Sequence, residues 1–113
     1  MSEKTVMVVV KSKPYSSLNY YEALRTASGL LSQHRVILFW MGDGVYAALK
    51  NADKTLTSQF FEIFQGMEIK LYVEEEALKE RGFLKGDVIS EAEVVDREKI
   101  SELLLAAQAS MVF

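Results

Sequence analysis

The sequence predicts an α/β fold, a three-layer sandwich with a mostly parallel five-stranded sheet, forming a single domain over residues 1–113. Three observations predict it. Two apolar runs, Thr5-Val6-Met7-Val8-Val9-Val10 and Val36-Ile37-Leu38-Phe39-Trp40-Met41, lack the alternation of half-exposed strands. Strands buried on both faces read this way, as in parallel sheets. Between them, Tyr20, Leu24, Ala27 and Leu31 recur at helical spacing, with Tyr21 and Leu30 widening the stripe. Strand-like and helix-like segments then alternate along the rest of the chain.

Each element has its own local reason. After the first strand, Lys11-Ser12-Lys13-Pro14-Tyr15 breaks the pattern, and Pro14 disfavours helix at Lys13. Ser17 is an expected N-cap for a helix over residues 18–33. A right-handed crossover through that helix makes the second strand parallel to the first. Gly42-Asp43-Gly44 forms the next turn, with Asp43 expected to cap a helix starting near Val45. Thr57 is expected to cap a further helix carrying Phe60, Phe61, Ile63 and Phe64. Phe60 and Phe64 share a helical face, so Phe61 must look elsewhere. Residues 68–73 form the third strand, where Lys70 marks a less buried position. Glu74, Glu75 and Glu76 open a short helix at its positive end. Gly82 ends that helix, because glycine readily adopts the left-handed conformation of a C-terminal cap. Residues 92–95 form a short fourth strand. Asp96 caps a last helix facing inward with Ile100, Leu103, Leu104 and Ala107. Ser110-Met111-Val112-Phe113 is apolar after its serine and is expected to end as a buried strand.

Composition narrows the function classes. Charged residues make up 26% of the chain and the net charge is -3, which argues against a nucleic-acid partner. No apolar run approaches the length of a membrane span. No leader pattern opens the chain, so a cytoplasmic protein is expected. There is no cysteine, which removes disulfides, thiol catalysis and cysteine-based metal sites together. The single histidine, His34, is a turn residue rather than half of a zinc site. No metal or cofactor is expected.

The carboxyl ends of parallel strands are where ligands and chemistry gather. Lys11, Lys13, Gly42, Asp43, Gly44 and Glu74 follow or close such strands, and Arg81 ends the helix after Glu74. They are the candidate functional rim. The plainer roles are a solvated loop for the lysines and capping for the carboxylates.

Two segments also resemble the DsrE/DsrF-like family, most closely its DsrF/TusC branch. They are Gly42-Asp43-Gly44-Val45-Tyr46 and Ala77-Leu78-Lys79-Glu80-Arg81-Gly82. The resemblance implies a flavodoxin-like sandwich assembled as trimers, hexamers or hetero-oligomers. It also implies a sulfur-carrying cysteine at the end of the third strand, and that position is Glu74 here. A carboxylate retains negative charge but cannot hold a persulfide, so no catalytic residue carries over. The expected function is a non-catalytic subunit, a scaffold or regulator of a sulfur-relay-type oligomer. It would partner itself or a cysteine-bearing relative, with Phe60, Phe61 and Phe64 as candidate interface residues. The alternative is a small-ligand or anion-binding module using Lys11, Lys13, Asp43 and Glu74. An acid/base pair formed by Asp43 and Glu74 is a third possibility, but nothing in the sequence secures its separation.

Overall fold

The computed structural model describes residues 4–14, 18–67 and 69–113. Five strands form one sheet: β1 (Thr5–Val10), β2 (Arg35–Trp40), β3 (Ile69–Glu74), β4 (Glu93–Val95) and β5 (Ala109–Val112). Their order is β4-β3-β2-β1-β5, and every neighbouring pair is parallel. Four helices connect them: α1 (Asn19–Leu30), α2 (Ser58–Gln65), α3 (Glu75–Glu80) and α4 (Arg97–Ala106). A 3-10 helix at Gly42–Ala48 follows β2, and a shorter one at Lys85–Asp87 precedes β4.

Handedness explains the layers. The chain steps from β1 through β4 in one direction, so right-handed crossovers put α1, α2 and α3 on one face. The return from β4 to β5 runs the opposite way and puts α4 on the other face. The first face holds the main core. Val6, Val8, Val10, Val36, Leu38, Trp40, Leu71 and Val73 pack there against Tyr20, Ala23, Leu24 and Ala27 of α1 and Leu78 of α3. The second face is thinner: Met7, Val9, Phe39 and Val95 are buried, with Ile100, Leu103 and Ala107 half-buried above them.

Several local expectations need correction. Ser17 and Glu68 lie outside the described residues. Thr57 stands at the start of α2 and is buried, but its side chain makes no capping bond. Asp96 does cap α4, accepting from the Lys99 amide at 3.0 Å. The last strand forms as expected but is not buried: all four β5 residues are exposed. It is an outer strand of the sheet, paired only with β1 among the described strands. Leu104 of α4 also points outward, at 45% exposure.

The aromatic residues of α2 are mostly turned inward. Phe60 and Phe64 are buried in the main core, which corrects their assignment as interface residues. Phe61 is half-buried and stacks on Trp40, with ring centroids 6.2 Å apart and planes 11° apart. Its different direction therefore has an intramolecular destination.

Candidate functional site at the strand ends

The strand register brings the candidate residues to one level. Val10 pairs with Trp40, Trp40 with Val73, and Glu74 with Val95. The residues that follow Val10 and Trp40 therefore share a rim with Glu74. Adjacent strands β3 and β4 send their helices to opposite faces, and such a switch point opens a crevice at the strand ends. Glu74 is the last residue of β3. Glu76 of α3 and Arg97 of α4 form an ion pair of 2.8 Å between the helices that diverge there.

The two motif segments meet at this rim. The Gly42 amide donates to Glu74 Oε1 at 3.0 Å. The next residue, Asp43, accepts from Arg81 Nη2 at 2.7 Å. Consecutive residues after β2 thus hold the two ends of α3. Arg81 Nη1 also donates to the Ala77 carbonyl at 3.0 Å, which fixes the guanidinium over its own helix end. The same group lies 5.8 Å from the centre of the Tyr46 ring, and Tyr46 meets Phe83 edge-on at 5.7 Å. In the sequence, the one signal for Tyr46 is its place in the glycine-rich segment.

Glycine is required at three points of this frame. Gly42 has φ +53°, and Gly82 has φ +76° just past α3. Gly82 lets the Phe83 amide turn back to the Leu78 carbonyl at 2.9 Å, closing the helix as its sequence implied. Gly44 lies against the end of β1, where an added Cβ would come within 2.0 Å of the Val10 carbonyl oxygen.

Asp43 is not the helix cap anticipated from sequence. The 3-10 helix already begins at Gly42, and its N-cap is Met41. Asp43 instead faces Arg81, whose hydrogen bond is the main reason its carboxyl is held below the usual range. Partial desolvation opposes that shift, while the charges of Arg81 and Lys13 assist it. Lys13 thus acts electrostatically on this rim. The Lys11 amide donates to the Phe113 carbonyl at 2.9 Å, joining the β1 loop to the end of β5.

A lowered carboxyl pKa has a defined consequence. The stability it contributes is complete above the unfolded-state value of about 3.9 and is lost as pH falls through the lower folded value. Asp43→Asn should therefore lower the melting temperature at neutral pH. The gap to wild type should close on acidification below pH about 4. A gap that persists unchanged into strong acid would contradict this role.

Glu74 admits a separate test. Glu74→Ala removes the acceptor for the Gly42 amide and should cost about 1 kcal/mol, whereas Glu74→Gln keeps an acceptor oxygen and should cost less. Equal losses in urea denaturation would show that the bond contributes nothing.

Both rim carboxylates thus carry structural bonds, which gives the acid/base pair no support. Two surface clefts lie beside α3 and the 3-10 helix. One of about 130 Å³ is lined by Leu78, Phe83, Leu84 and Val94 with Lys79 and Lys85; the other, an open groove of about 470 Å³, borders Tyr46 and Asp53. Neither is lined by Lys11, Lys13 or Glu74. Among the described residues, no cluster of acidic or histidine side chains is arranged to hold a metal. No helix of the described residues is long and apolar enough to cross a membrane.

A parallel five-stranded sheet with its third strand tied to a glycine-rich turn defines a small α/β protein whose distinctive residues lie at the strand ends. The chain belongs to the DsrE/DsrF-like family, whose model matches residues 4–113. Among solved structures it is similar to the YchN protein of E. coli. That structure is 24% identical, with a TM-score of 0.83, over 99% of this chain and 100% of that one. A protein of unknown function from Methanobacterium thermoautotrophicum, MTH1491, is 14% identical, with a TM-score of 0.73, again over 99% and 100%. At these identities the likeness is one of fold. No curated protein matches the chain.

Proposed function

We propose that this chain is a non-catalytic, DsrF/TusC-like subunit of a sulfur-relay-type assembly, joined to copies of itself or to a cysteine-bearing relative. One observation carries the reading. The frame around the end of β3 is intact, with Gly42, Asp43 and Arg81 all engaged, yet its tip is Glu74 and the chain has no cysteine. A carboxylate can satisfy the Gly42 amide but has no sulfur to donate or accept. The chain's contribution is then shape and charge at an interface, while a partner's thiolate performs the transfer.

Persulfide loading tests this directly. Wild-type protein incubated with a persulfide donor should acquire no covalent sulfur by intact-mass spectrometry. Glu74→Cys should acquire it, because a thiol at this strand end faces a backbone amide and a helix start, which favour the thiolate. A sulfur adduct on the wild type would overturn the non-catalytic role. A folded Glu74→Cys variant that stays unmodified would overturn the claim that a relay frame has been retained.

A further inference from the structure

Away from the strand-end rim, a further cavity of about 70 Å³ lies between α2 and β3. Its lining is Phe61, Phe64 and Gln65 of α2, Ile69 and Leu71 of β3, and Glu91 from the segment before β4. Ile69 and Leu71 are two apart on β3, so they face the same side. Both lie toward the amino end of the strand, and Glu74 is its other end. The two phenylalanine rings stand at 75° with centroids 5.9 Å apart, which makes an aromatic corner. Phe64 is buried, and Phe61 is braced by its stack on Trp40. Among the described lining residues, Glu91 alone carries a charge. The cleft beside α3 differs: there Glu75 lies 3.5 Å from Lys79 and 3.6 Å from Lys85, and its charge is answered internally.

We infer that this cavity binds a small alkylated ammonium ion, with Glu91 as its counter-ion and Phe61 and Phe64 as its aromatic walls. Ring faces carry partial negative charge and attract a cation held within about 6 Å of their centres. The carboxylate selects the charge. An uncharged ligand would strip water from Glu91 without pairing it, and an unpaired desolvated charge is costly. The walls select the alkylation. A primary ammonium brings three N–H donors, and the described lining side chains offer only the Glu91 carboxylate and the Gln65 amide oxygen to receive them. Methylation keeps the charge, removes the donors and packs against apolar walls. Volume sets the size. One water needs about 10–15 Å³ of such space, so the cavity holds a group of about five heavy atoms, the size of tetramethylammonium. The surroundings leave Glu91 able to serve. It is an exposed residue whose Oε1 accepts from the Ser90 hydroxyl at 3.0 Å. Lys54 interacts with it electrostatically, but directs its own ammonium to the carbonyls of Leu49 at 2.6 Å and Ala52 at 3.4 Å.

Titration of the full chain, followed by amide NMR at constant ionic strength, tests the site. Tetramethylammonium and choline should each shift the amides of Phe61, Gln65 and Glu91 saturably, with a dissociation constant on the order of 1 mM. The uncharged carbon analogue of choline, in which carbon replaces the ammonium nitrogen, should bind at least about tenfold more weakly. Glu91→Gln keeps the shape of an exposed side chain and removes its charge, and should weaken the cations about tenfold. Phe61→Leu keeps an apolar wall without the ring and should weaken them as well. Thermal melting checks that each variant is folded. Equal binding of choline and its uncharged analogue would overturn the inference, as would undiminished binding to the folded Glu91→Gln protein. A wild type whose amides show no saturable shift with either cation would overturn it too. The cavity lies apart from the strand-end rim, so these results are independent of sulfur loading, which alone decides the subunit reading.

Discussion

Gly44→Ala is expected to destabilise the protein by about 3 kcal/mol, at the upper end of overpacking costs. The added methyl group would lie 2.0 Å from the Val10 carbonyl oxygen and 2.7 Å from its carbon. Both obstacles are backbone, at the end of a strand held on one side by β2 and on the other by β5. They cannot rotate away as a side chain would. The 3-10 helix must therefore lift from β1, and the bonds from Gly42 to Glu74 and from Asp43 to Arg81 should lengthen with it. Chemical denaturation should show the loss, and the melting temperature should fall by about 10–20 °C for a domain of this size. Gly29→Ala provides the contrast. Gly29 lies in α1, where an added Cβ meets nothing within 4 Å. There alanine should stabilise by about 0.5–1 kcal/mol through helix propensity. Similar effects at the two glycines would refute the packing argument.

Trp40→Ala should cost about 3–5 kcal/mol, the usual range for deleting a buried large aromatic side chain. Trp40 is fully buried on the central strand, between Val10 and Val73 in register, and its ring stacks on Phe61. Its indole Nε1 is also buried with no hydrogen-bond partner among the described residues. An unpaired buried donor costs roughly 1–3 kcal/mol. Trp40→Phe removes that donor and keeps an aromatic ring, so its cost should be well below that of alanine. Urea denaturation of the two variants checks the order. As the sole tryptophan, the residue also reports on itself: native emission should be blue-shifted and move red on unfolding. Solvent-like native emission, or equal losses in both variants, would contradict this account.

The long uniform segments were the most legible in sequence. β1 and β2 announced themselves because five and six successive apolar residues have no surface role in a small domain, and α1 because its stripe repeats at the helical period. The position of Glu74 was legible too, since the end of a strand and the start of an acidic helix are both local signals. The partners of the rim were not. Arg81 reaches Asp43 across 38 positions of sequence, and Gly42 reaches Glu74 across 32. Local capping chemistry for Asp43 was the natural expectation, and a stronger cationic partner displaced it. The phenylalanines of α2 show the same limit. Three aromatics in five residues suggested an outward contact, but Trp40 supplied an inward partner for Phe61.

Periodicity and composition alone pointed to a mostly parallel α/β sandwich, excluded thiol chemistry on this chain's own side chains, and located a carboxylate at the third strand's tip. Those conclusions depend only on residue type and spacing. Chain folding in three dimensions decided how the two motif segments clasp one another, why Gly44 must lack a side chain, and that the last strand lies exposed. Such features arise when distant backbone segments come within a few ångströms, and a one-dimensional pattern carries no record of that approach.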